Sequence, residues 1–167
     1  MQDFVHLHVH TQYSLLDGQA SVARLVDKAM QNGMKGIAVT DHGNMFGIKE
    51  FTNYVNKKNS GPKGEIKDLK KRLVGIEAGS IECEDKEAEV AACKAKIVEA
   101  ENKLFKPIIG CEMYVARRTM DLKEGKQDQS GYHLIVLAKN ETGYHNLIKL
   151  VSHAWTRGYY MRPRTDR

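Results

Sequence analysis

The sequence predicts an α/β fold in which strands and helices alternate around a mainly parallel sheet. Short apolar stretches with strand-like alternation are followed by segments whose apolar residues have helical spacing. Their order is strand, helix, strand, helix, a charged insertion, strand, loop, strand and helix, which favours a parallel sheet or barrel. The chain has 167 residues, of which 41% are hydrophobic, enough to bury the core of one domain. An open sheet could be complete at this length, whereas four strand–helix units form only about half of an eight-stranded barrel.

The first predicted strand covers residues 4–10, where valine or leucine alternates with histidine. Since side chains alternate along a strand, His6, His8 and His10 share one face and the apolar residues share the other. We expect His6, which lies deepest, to be a buried histidine with satisfied hydrogen bonds. His8 and His10 then stand at the end of the strand, about 6–7 Å apart at the backbone.

The next elements follow from capping and turn residues. Their predicted order is a loop over residues 11–20, a helix capped by Ser21 and ended by Asn32-Gly33, a buried strand over 36–40, a turn over 41–44 and a second helix with apolar residues from Phe46 to Val55.

Residues 57–106 differ from the rest in being rich in lysine, glutamate and alanine. Their apolar residues form two narrow seams of helical spacing, one over 66–76 and one over 90–104, separated by Ala78-Gly79-Ser80. This pattern predicts two charged helices folded back as a hairpin and inserted into the domain. We interpret the hairpin as a solvated surface feature, with a contact arm for a partner as the alternative.

The apolar pattern resumes at Pro107. The predicted elements are a third strand over 107–116, a loop over 117–131, a fourth strand over 132–138, a helix capped by Thr142, and a charged tail over 162–167 that shows no stop signal for a finished fold.

Composition excludes several classes of protein. No run of about eighteen apolar residues is present, so no membrane span is expected, and the first residues lack the pattern of a secretory signal. Cys83, Cys93 and Cys111 are odd in number and share no CxxC spacing, which indicates a reducing compartment, the cytoplasm, and argues against disulfides or a zinc knuckle. The net charge of +5 permits binding to a polyanion without proving it.

Histidine and carboxylate side chains stand at the predicted strand ends, where functional residues of parallel α/β folds gather. His8 and His10 end the first strand, Asp41-His42 ends the second, Glu112 lies on the third and His133 starts the fourth. These donors suit zinc, manganese or iron better than calcium, and they predict a multinuclear hydrolytic site.

Each of these residues also has a simpler interpretation. A single His-x-His pair is more often a packing feature than a pair of ligands. Asp41 could cap a helix or orient a histidine ligand, and Asp17-Gly18 could be only a turn. Cys111 should point away from Glu112, while His145 and His153 should lie on the helix surface.

Other catalytic motifs are missing from the sequence. It contains neither a glycine-rich phosphate loop nor Gly-x-Ser-x-Gly. Residues 155–164 interleave aromatic residues with arginines, which fits a phosphate track but equally an aromatic anchor.

Several motifs, taken in order, resemble the N-terminal polymerase and histidinol phosphatase (PHP) domain of bacterial replicative DNA polymerase III alpha subunits. The resemblance covers essentially the whole chain except residues 57–106. Its segments are His8-Val-His10-Thr11, Tyr13–Gly18, Thr40–Gly47, Pro107–Glu112, His133–Leu147 and Arg157–Arg167.

The resemblance implies a distorted (β/α)7 barrel with up to three divalent metal ions. By motif, the metal ligands are His8, His10, Asp17, His42, Glu112 and His133, and those that carry catalysis are His8, His10, His42 and Glu112. The family's later ligands, including an Asp-x-His, have no counterpart up to residue 167, nor do the polymerase carboxylates that bind magnesium. We therefore expect this piece to be inactive by itself.

The resemblance also implies a function. The complete protein would be a DNA-directed DNA polymerase, a nucleotidyltransferase, whose PHP domain acts as a metal-dependent 3′–5′ exonuclease or phosphoesterase. Its partners would be DNA, the sliding clamp and a proofreading subunit, with no membrane. Two alternatives remain: a non-catalytic module that braces the polymerase and binds partners, and a stand-alone PHP phosphoesterase.

Overall fold

The computed structural model describes residues 4–129 and 131–166, so Met1–Asp3 of the chain start, Ser130 of the predicted loop and Arg167 of the tail lie outside the described residues. It divides into two compact units. One contains the chain up to Tyr54 and from Lys106 onward, and the other is Val55–Phe105. No helix in the described part of the chain is long and apolar enough to cross a membrane.

The first unit is a mixed α/β structure with one five-stranded sheet. Its strands are β1 (Gly36–Val39), β2 (Lys106–Val115), β3 (Tyr132–Leu137), β4 (Tyr159–Tyr160) and β5 (Arg162–Thr165). The order is β1-β2-β5-β4, and β3 also pairs with β2, over its residues 110–115. β2 pairs in parallel with β1 and β5, as predicted for an alternating α/β sequence. The distorted (β/α)7 barrel that the resemblance implies stays a prediction.

β3 runs antiparallel to β2, which differs from the parallel sheet or barrel that the order of elements favoured. The predicted loop between them holds a short helix, α5 (Gly125–Gln129), of five residues. A parallel crossover normally carries a helix that covers a sheet face, and five residues are too few for that. The chain therefore reverses after β2 and returns along its edge.

Of the two helix N-caps predicted from the sequence, one is confirmed. α1 (Val22–Gln31) is capped by Ser21, whose side chain accepts from the Arg24 amide, and it ends at Asn32. α2 is Ile48–Lys58. α6 (Glu141–Thr156) is capped by Asn140, whose Oδ1 accepts from the Gly143 amide at 2.9 Å, so the prediction of Thr142 as the cap was wrong.

α6 packs on β2 through the core of the sheet. The cluster contains Cys111 and Met113 from β2 and Leu147, Val151 and Ala154 from α6. Since side chains alternate along a strand, this face of β2 leaves Glu112 on the opposite face.

Residues 4–10 are not the regular strand that alternation predicted. The His6 carbonyl accepts from the Ala38 amide and the Val9 carbonyl from the Thr40 amide, both at 2.9 Å. Between these two hydrogen bonds the chain advances by three residues on this segment but by two on the β1 side. The chain bends at residues 7 and 8. The extra residue breaks the alternation. His6 is consequently exposed rather than buried, and half of Leu7 is exposed.

The charged tail is not an exposed end. Residues 162–165 form β5, and Arg164 is completely buried. Its guanidinium donates to the carbonyls of Gly158, Met120 and Leu122. Such partners for Nε and Nη2 offset part of the cost of burying the charge, and net charge alone does not reveal them.

The second unit contains α3 (Ser60–Glu77) and α4 (Lys86–Asn102), which pack against each other. Ile76, Cys93, Ile97 and Ala100 are buried between exposed charged residues. Lys86 Nζ donates to the Glu77 carbonyl, and Lys103 Nζ lies 4.0 Å from Glu65 at the other end, so the helices run antiparallel. That residues 57–106 are an insertion into a family pattern stays a prediction.

Candidate metal centre

All six side chains that the resemblance implied as metal ligands lie together at one end of the sheet. Three overlapping sets have ligand atoms within 4.8 Å of one another. The sets are His8, His10 and Glu112; His10, Asp17 and His42; and His42, Glu112 and His133.

Glu112 forms the floor of this centre. Only 4% of its side chain is exposed, and its Oε2 lies 2.6 Å from His8 Nε2 and 2.9 Å from His10 Nε2. Its Oε1 contacts His133 Nδ1. Burial by itself raises the pKa of Glu112, but the hydrogen bonds from His8 and His133 and the charge of His42 outweigh burial. The pKa of Glu112 is therefore lowered, and this carboxylate stays negative among the imidazoles.

His42 reaches the centre because the chain continues along β2 after β1 ends. His42 and Glu112 form an isolated parallel bridge, and the Gly43 amide donates to the Glu112 carbonyl at 2.8 Å. Gly43 has a φ of +59°, a left-handed conformation that glycine adopts at little cost. The turn at Gly43 thus ends the strand directly after the histidine.

Asp17 lies at the outer rim of the centre. Its Oδ2 is 2.7 Å from His42 Nε2 and 4.0 Å from His10 Nδ1. The loop that carries it is closed tightly at Gly18, where a Cβ would lie 1.9 Å from the Thr11 carbonyl oxygen. Only glycine allows this approach, so Asp17-Gly18 is both a turn and a means of placing a carboxylate.

His133 joins the centre because β3 is antiparallel. In the register of the two strands it stands opposite Tyr114, close to the carboxyl end of β2. In a parallel strand the first residues would lie at the far end of the sheet. The reversal that the sequence did not predict is therefore what brings a predicted ligand into the site.

Buried polar residues lie behind the candidate ligands, and of these the sequence interpretation gave a role only to Asp41. Asp41 is almost completely buried and accepts from the Thr11 amide at 2.6 Å, from Thr11 Oγ1 at 2.8 Å and from Ser14 Oγ at 3.0 Å. Asp41 thereby ties the loop of residues 11–18 to the end of β1. Of its possible roles, capping or orienting a histidine, the second fits these contacts.

Ser14 decides which nitrogen of His10 carries a proton. Its hydroxyl has one hydrogen, which goes to Asp41 because a carboxylate can only accept. Its oxygen accepts from the His42 amide at 3.0 Å, and the remaining lone pair faces His10 Nδ1 at 2.8 Å. His10 must donate there, so in the neutral imidazole the lone pair lies on Nε2. That lone pair points at the centre.

The donor set fits a divalent cation. His10 Nε2 faces His8 Nε2 at 3.0 Å and Glu112 Oε2 at 2.9 Å, so a lone pair and a negative carboxylate point toward each other. Within the described residues, the buried Nδ1 of His42 has no hydrogen-bond partner, and it lies 3.6 Å from Glu112. A lone pair and a carboxylate that converge in this way are what a cation satisfies. All the atoms concerned are nitrogen or oxygen, which suits zinc, manganese or iron.

Tyr114, which also lies on β2, packs against two of the imidazoles. Its ring stacks on His42 at 5.8 Å between centroids and meets His133 edge-on at 4.9 Å. Its hydroxyl accepts from Arg162 Nη1 at 2.8 Å. Two-residue alternation from Glu112 would have found Tyr114 on the same face, but nothing in the sequence placed Arg162 beside it.

The other predicted residues do not join the centre. Cys111 lies in the core with its Sγ 3.4 Å from the Asp41 carbonyl oxygen, and burial raises its pKa to about 12. It stays a neutral thiol on the face opposite Glu112. His145 and His153 are exposed on α6, as predicted.

Comparison with known proteins agrees with the resemblance seen in the sequence. The chain is 39% identical to DNA polymerase III subunit alpha of Borreliella burgdorferi, over 98% of this chain and 10% of that protein. It is 40% identical to the same subunit of Treponema pallidum over 98% of this chain and 10% of that protein, and 33% identical to that of Aquifex aeolicus over 99% and 11%. The chain thus spans about a tenth of the length of these relatives.

The family assignment rests on a match that includes both the ligand-bearing segments and the charged hairpin. The PHP domain family matches residues 6–167, a range that contains all six converging side chains. The chain therefore belongs to the PHP domain family.

Proposed function

We propose that this chain is the PHP region of a bacterial replicative DNA polymerase and that its metal centre hydrolyses phosphodiester bonds of DNA as a 3′–5′ exonuclease. The observation that carries the proposal is the convergence of four imidazoles and two carboxylates, of which Glu112 is buried. The relatives that share 33–40% of its residues are DNA polymerase III alpha subunits, which supports DNA as the substrate.

The three overlapping sets offer places for up to three ions. His10, His42 and Glu112 each belong to two sets, and any bound ions would be held by these three side chains together with His8, Asp17 and His133. Zinc, manganese or iron bound there would supply Lewis-acid activation of water and neutralise charge on the phosphodiester. His8, His10, His42 and Glu112 are the residues that we propose carry catalysis.

The protein's own groups prepare this chemistry. Ser14 holds His10 with its Nε2 lone pair toward the centre, and Asp41 holds Ser14. About half of the His8 and His133 side chains and of Asp17 is exposed, so the centre is open to solvent and to a polyanionic strand. Glu112, at the buried floor, keeps its negative charge because its pKa is lowered despite the burial that opposes this.

We also infer the activity of the whole protein from the names of its relatives. The complete subunit would be a DNA-directed DNA polymerase with a separate magnesium site outside residues 1–167. Its partners would be DNA, the sliding clamp and a proofreading subunit, and its location would be the cytoplasm, where free thiols such as Cys83 and Cys93 persist.

The test combines metal binding with hydrolysis. The chain and its His8→Ala/His10→Ala variant would be titrated with Mn²⁺ by calorimetry, and the complete polymerase subunit with the same changes would be assayed for 3′–5′ exonuclease activity. We expect the variant to lose metal affinity and exonuclease activity by about 100-fold or more, since even supporting residues of such sites contribute 10–100-fold.

His145→Ala is the matched control, because His145 is an exposed histidine on α6 outside the centre. It should change neither quantity. Equal exonuclease activity of the wild type and the double variant would contradict the catalytic proposal, and retained metal binding in that case would favour the non-catalytic module.

A further inference from the structure

A cleft of about 410 Å³ opens directly beside the metal centre. It shares His42 and Ser14 with the centre, and Tyr114 forms the boundary between the two. Its volume lies in the range of sites that hold small organic groups. None of the contacts that build the metal centre uses the far wall of this cleft.

The far wall is aromatic and exposed. The indole of Trp155 stacks on Tyr159 at 5.6 Å between centroids with an angle of 19°, and Phe46 lies 6.4 Å from Trp155. Trp155 Nε1 donates to the Gly43 carbonyl at 2.7 Å, which fixes the indole to the turn that follows His42. Exposed fractions of 67% for Phe46, 43% for Trp155 and 48% for Tyr159 leave ring surface open to a ligand.

The rim of the cleft is positive. Among the residues that line it, all in the described part of the chain, Arg162 is the single charged cation and no carboxylate occurs. The Arg162 guanidinium lies 5.0 Å above the Tyr114 ring and donates to its hydroxyl. This position suits a phosphate that lies between the aromatic wall and the metal centre.

The aromatic and basic residues of the 155–164 stretch thus have two different positions in the structure. Arg164 is buried and bound to backbone carbonyls, so it serves the fold. Trp155, Tyr159 and Arg162 line the cleft. A wall of aromatic faces with one guanidinium beside it is the arrangement with which proteins bind single-stranded nucleic acid.

We propose that this cleft binds an unpaired nucleobase of the strand whose phosphodiester reaches the metal centre. The inference rests on the proposed function, which supplies the strand, and it adds the place where that strand is held. The base must be unpaired because a base within a duplex has its faces covered by its neighbours. The site would therefore admit a frayed or single-stranded end and exclude a paired one.

Trp155 is the single tryptophan of the chain, so its fluorescence reports on the cleft directly. The chain would be titrated, in the presence of a chelator and at low salt, with a tetrathymidylate and with a tetramer of the same charge that lacks all bases. We expect the tetrathymidylate to quench Trp155 and to bind about 5- to 150-fold more tightly than the abasic tetramer.

Two variants test the wall while keeping the reporter. Phe46→Ala and Tyr159→Ala should each bring the two affinities closer together, whereas Phe4→Ala, an exposed phenylalanine outside the cleft lining, should leave the ratio unchanged. If circular dichroism shows that Tyr159→Ala does not fold, Phe46→Ala decides, because its side chain is mostly exposed.

Several outcomes would overturn the inference. Equal affinity for the two tetramers, or an unchanged ratio in Phe46→Ala, would show that no base is bound there. Self-association of the chain that Phe46→Ala abolishes in sedimentation would identify the cleft as an interface between copies instead. The titration with the tetramers is done without metal, because the chelator removes it. A failure of Mn²⁺ binding would therefore contradict the proposed function without changing the ratio of the two tetramer affinities.

Discussion

At the scale of single residues, the proposed metal centre depends on side chains that are not themselves candidate ligands. Ser14 Oγ accepts a hydrogen bond from His10 Nδ1 and donates one to Asp41 Oδ1. One hydroxyl therefore links a candidate ligand to a buried carboxylate. A ligand whose proton is fixed on the far nitrogen offers its lone pair without rearrangement. The affinity of the centre for metal should therefore respond to a residue that never touches it.

We expect Ser14→Ala to lower Mn²⁺ affinity by about 10- to 100-fold, the usual effect of removing a partner of a histidine ligand. Calorimetric titration measures the change. Ser152→Ala removes a hydroxyl that only bonds to the Ile148 carbonyl within α6, and it should leave affinity unaltered. Identical affinities for the two variants would mean that His10 is oriented without Ser14.

Gly43 is the residue at which backbone conformation and site geometry coincide. Its φ is +59°, and an added Cβ would lie 2.6 Å from Pro163 Cγ. We expect Gly43→Ala to lower the free energy of unfolding by at least about 1–2 kcal/mol, from left-handed strain with the clash in addition. Urea denaturation measures this.

Gly64→Ala provides the opposite case. Gly64 lies inside α3 with no atom within 4 Å of its would-be Cβ. Alanine there should stabilise the protein by about 0.5–1 kcal/mol because glycine is a poor helix former. If Gly43→Ala were as well tolerated as Gly64→Ala, the tight turn after His42 would not be required.

At the scale of elements, the connection between β2 and β3 decides both a strand direction and a ligand. Asp128 lies in the short helix α5 and is almost completely buried. It accepts two hydrogen bonds from Arg118 and one from the Glu124 amide. The Arg118 guanidinium lowers the pKa of Asp128, helped by the Glu124 amide and opposed by burial. This ion pair holds the returning chain in place before β3 begins.

The sign of its pH dependence follows from that shift. Because the pKa of Asp128 is lower in the folded state, the pair stabilises the fold above the ordinary aspartate pKa of about 3.9, and this contribution is lost as pH falls through the folded value. We expect Asp128→Asn to melt at a lower temperature than wild type at pH 7, with the difference shrinking toward pH 3. Asp68→Asn, an exposed position in α3, should show little difference at either pH.

At the scale of the whole molecule, the six proposed ligands all belong to one unit and the charged helices to the other. The two ends of the helical unit are tied together, because the Asn59 side chain donates to the Phe105 carbonyl at 2.8 Å and accepts from its amide at 3.0 Å. A short linker can therefore replace the segment between them, since closing a short loop costs little.

We expect a chain in which a linker of about four residues replaces residues 60–104 to fold and to bind Mn²⁺ within about twofold of the original affinity, as changes at distant sites are usually independent. Circular dichroism and calorimetry measure the two properties. Loss of metal binding in a folded variant would show that the helices are part of the PHP unit, against their interpretation as an insertion.

Local chemistry made much of this structure predictable. α1 begins after Ser21 and ends at Asn32-Gly33 as predicted, because a helix cap forms hydrogen bonds only with residues nearby in the sequence. Histidines and a carboxylate at predicted strand ends indicated five of the candidate ligands, whereas Asp17 was implied by the resemblance alone. Predictions failed where a long-range contact competes with a local pattern, as at residues 4–10, where pairing with β1 introduced an extra residue and exposed His6.

The sequence by itself determined the alternation of strands and helices, the family and the six candidate ligands, because periodicity, capping and motif spacing act over short distances along the chain. Only the tertiary structure decided the antiparallel direction of β3, the link from His10 through Ser14 to Asp41, the burial of Arg164 and the aromatic cleft beside His42. Each of these depends on groups that are distant in sequence meeting in space, and the free energy of such a contact is set by burial and hydrogen-bond geometry, which a linear pattern does not contain.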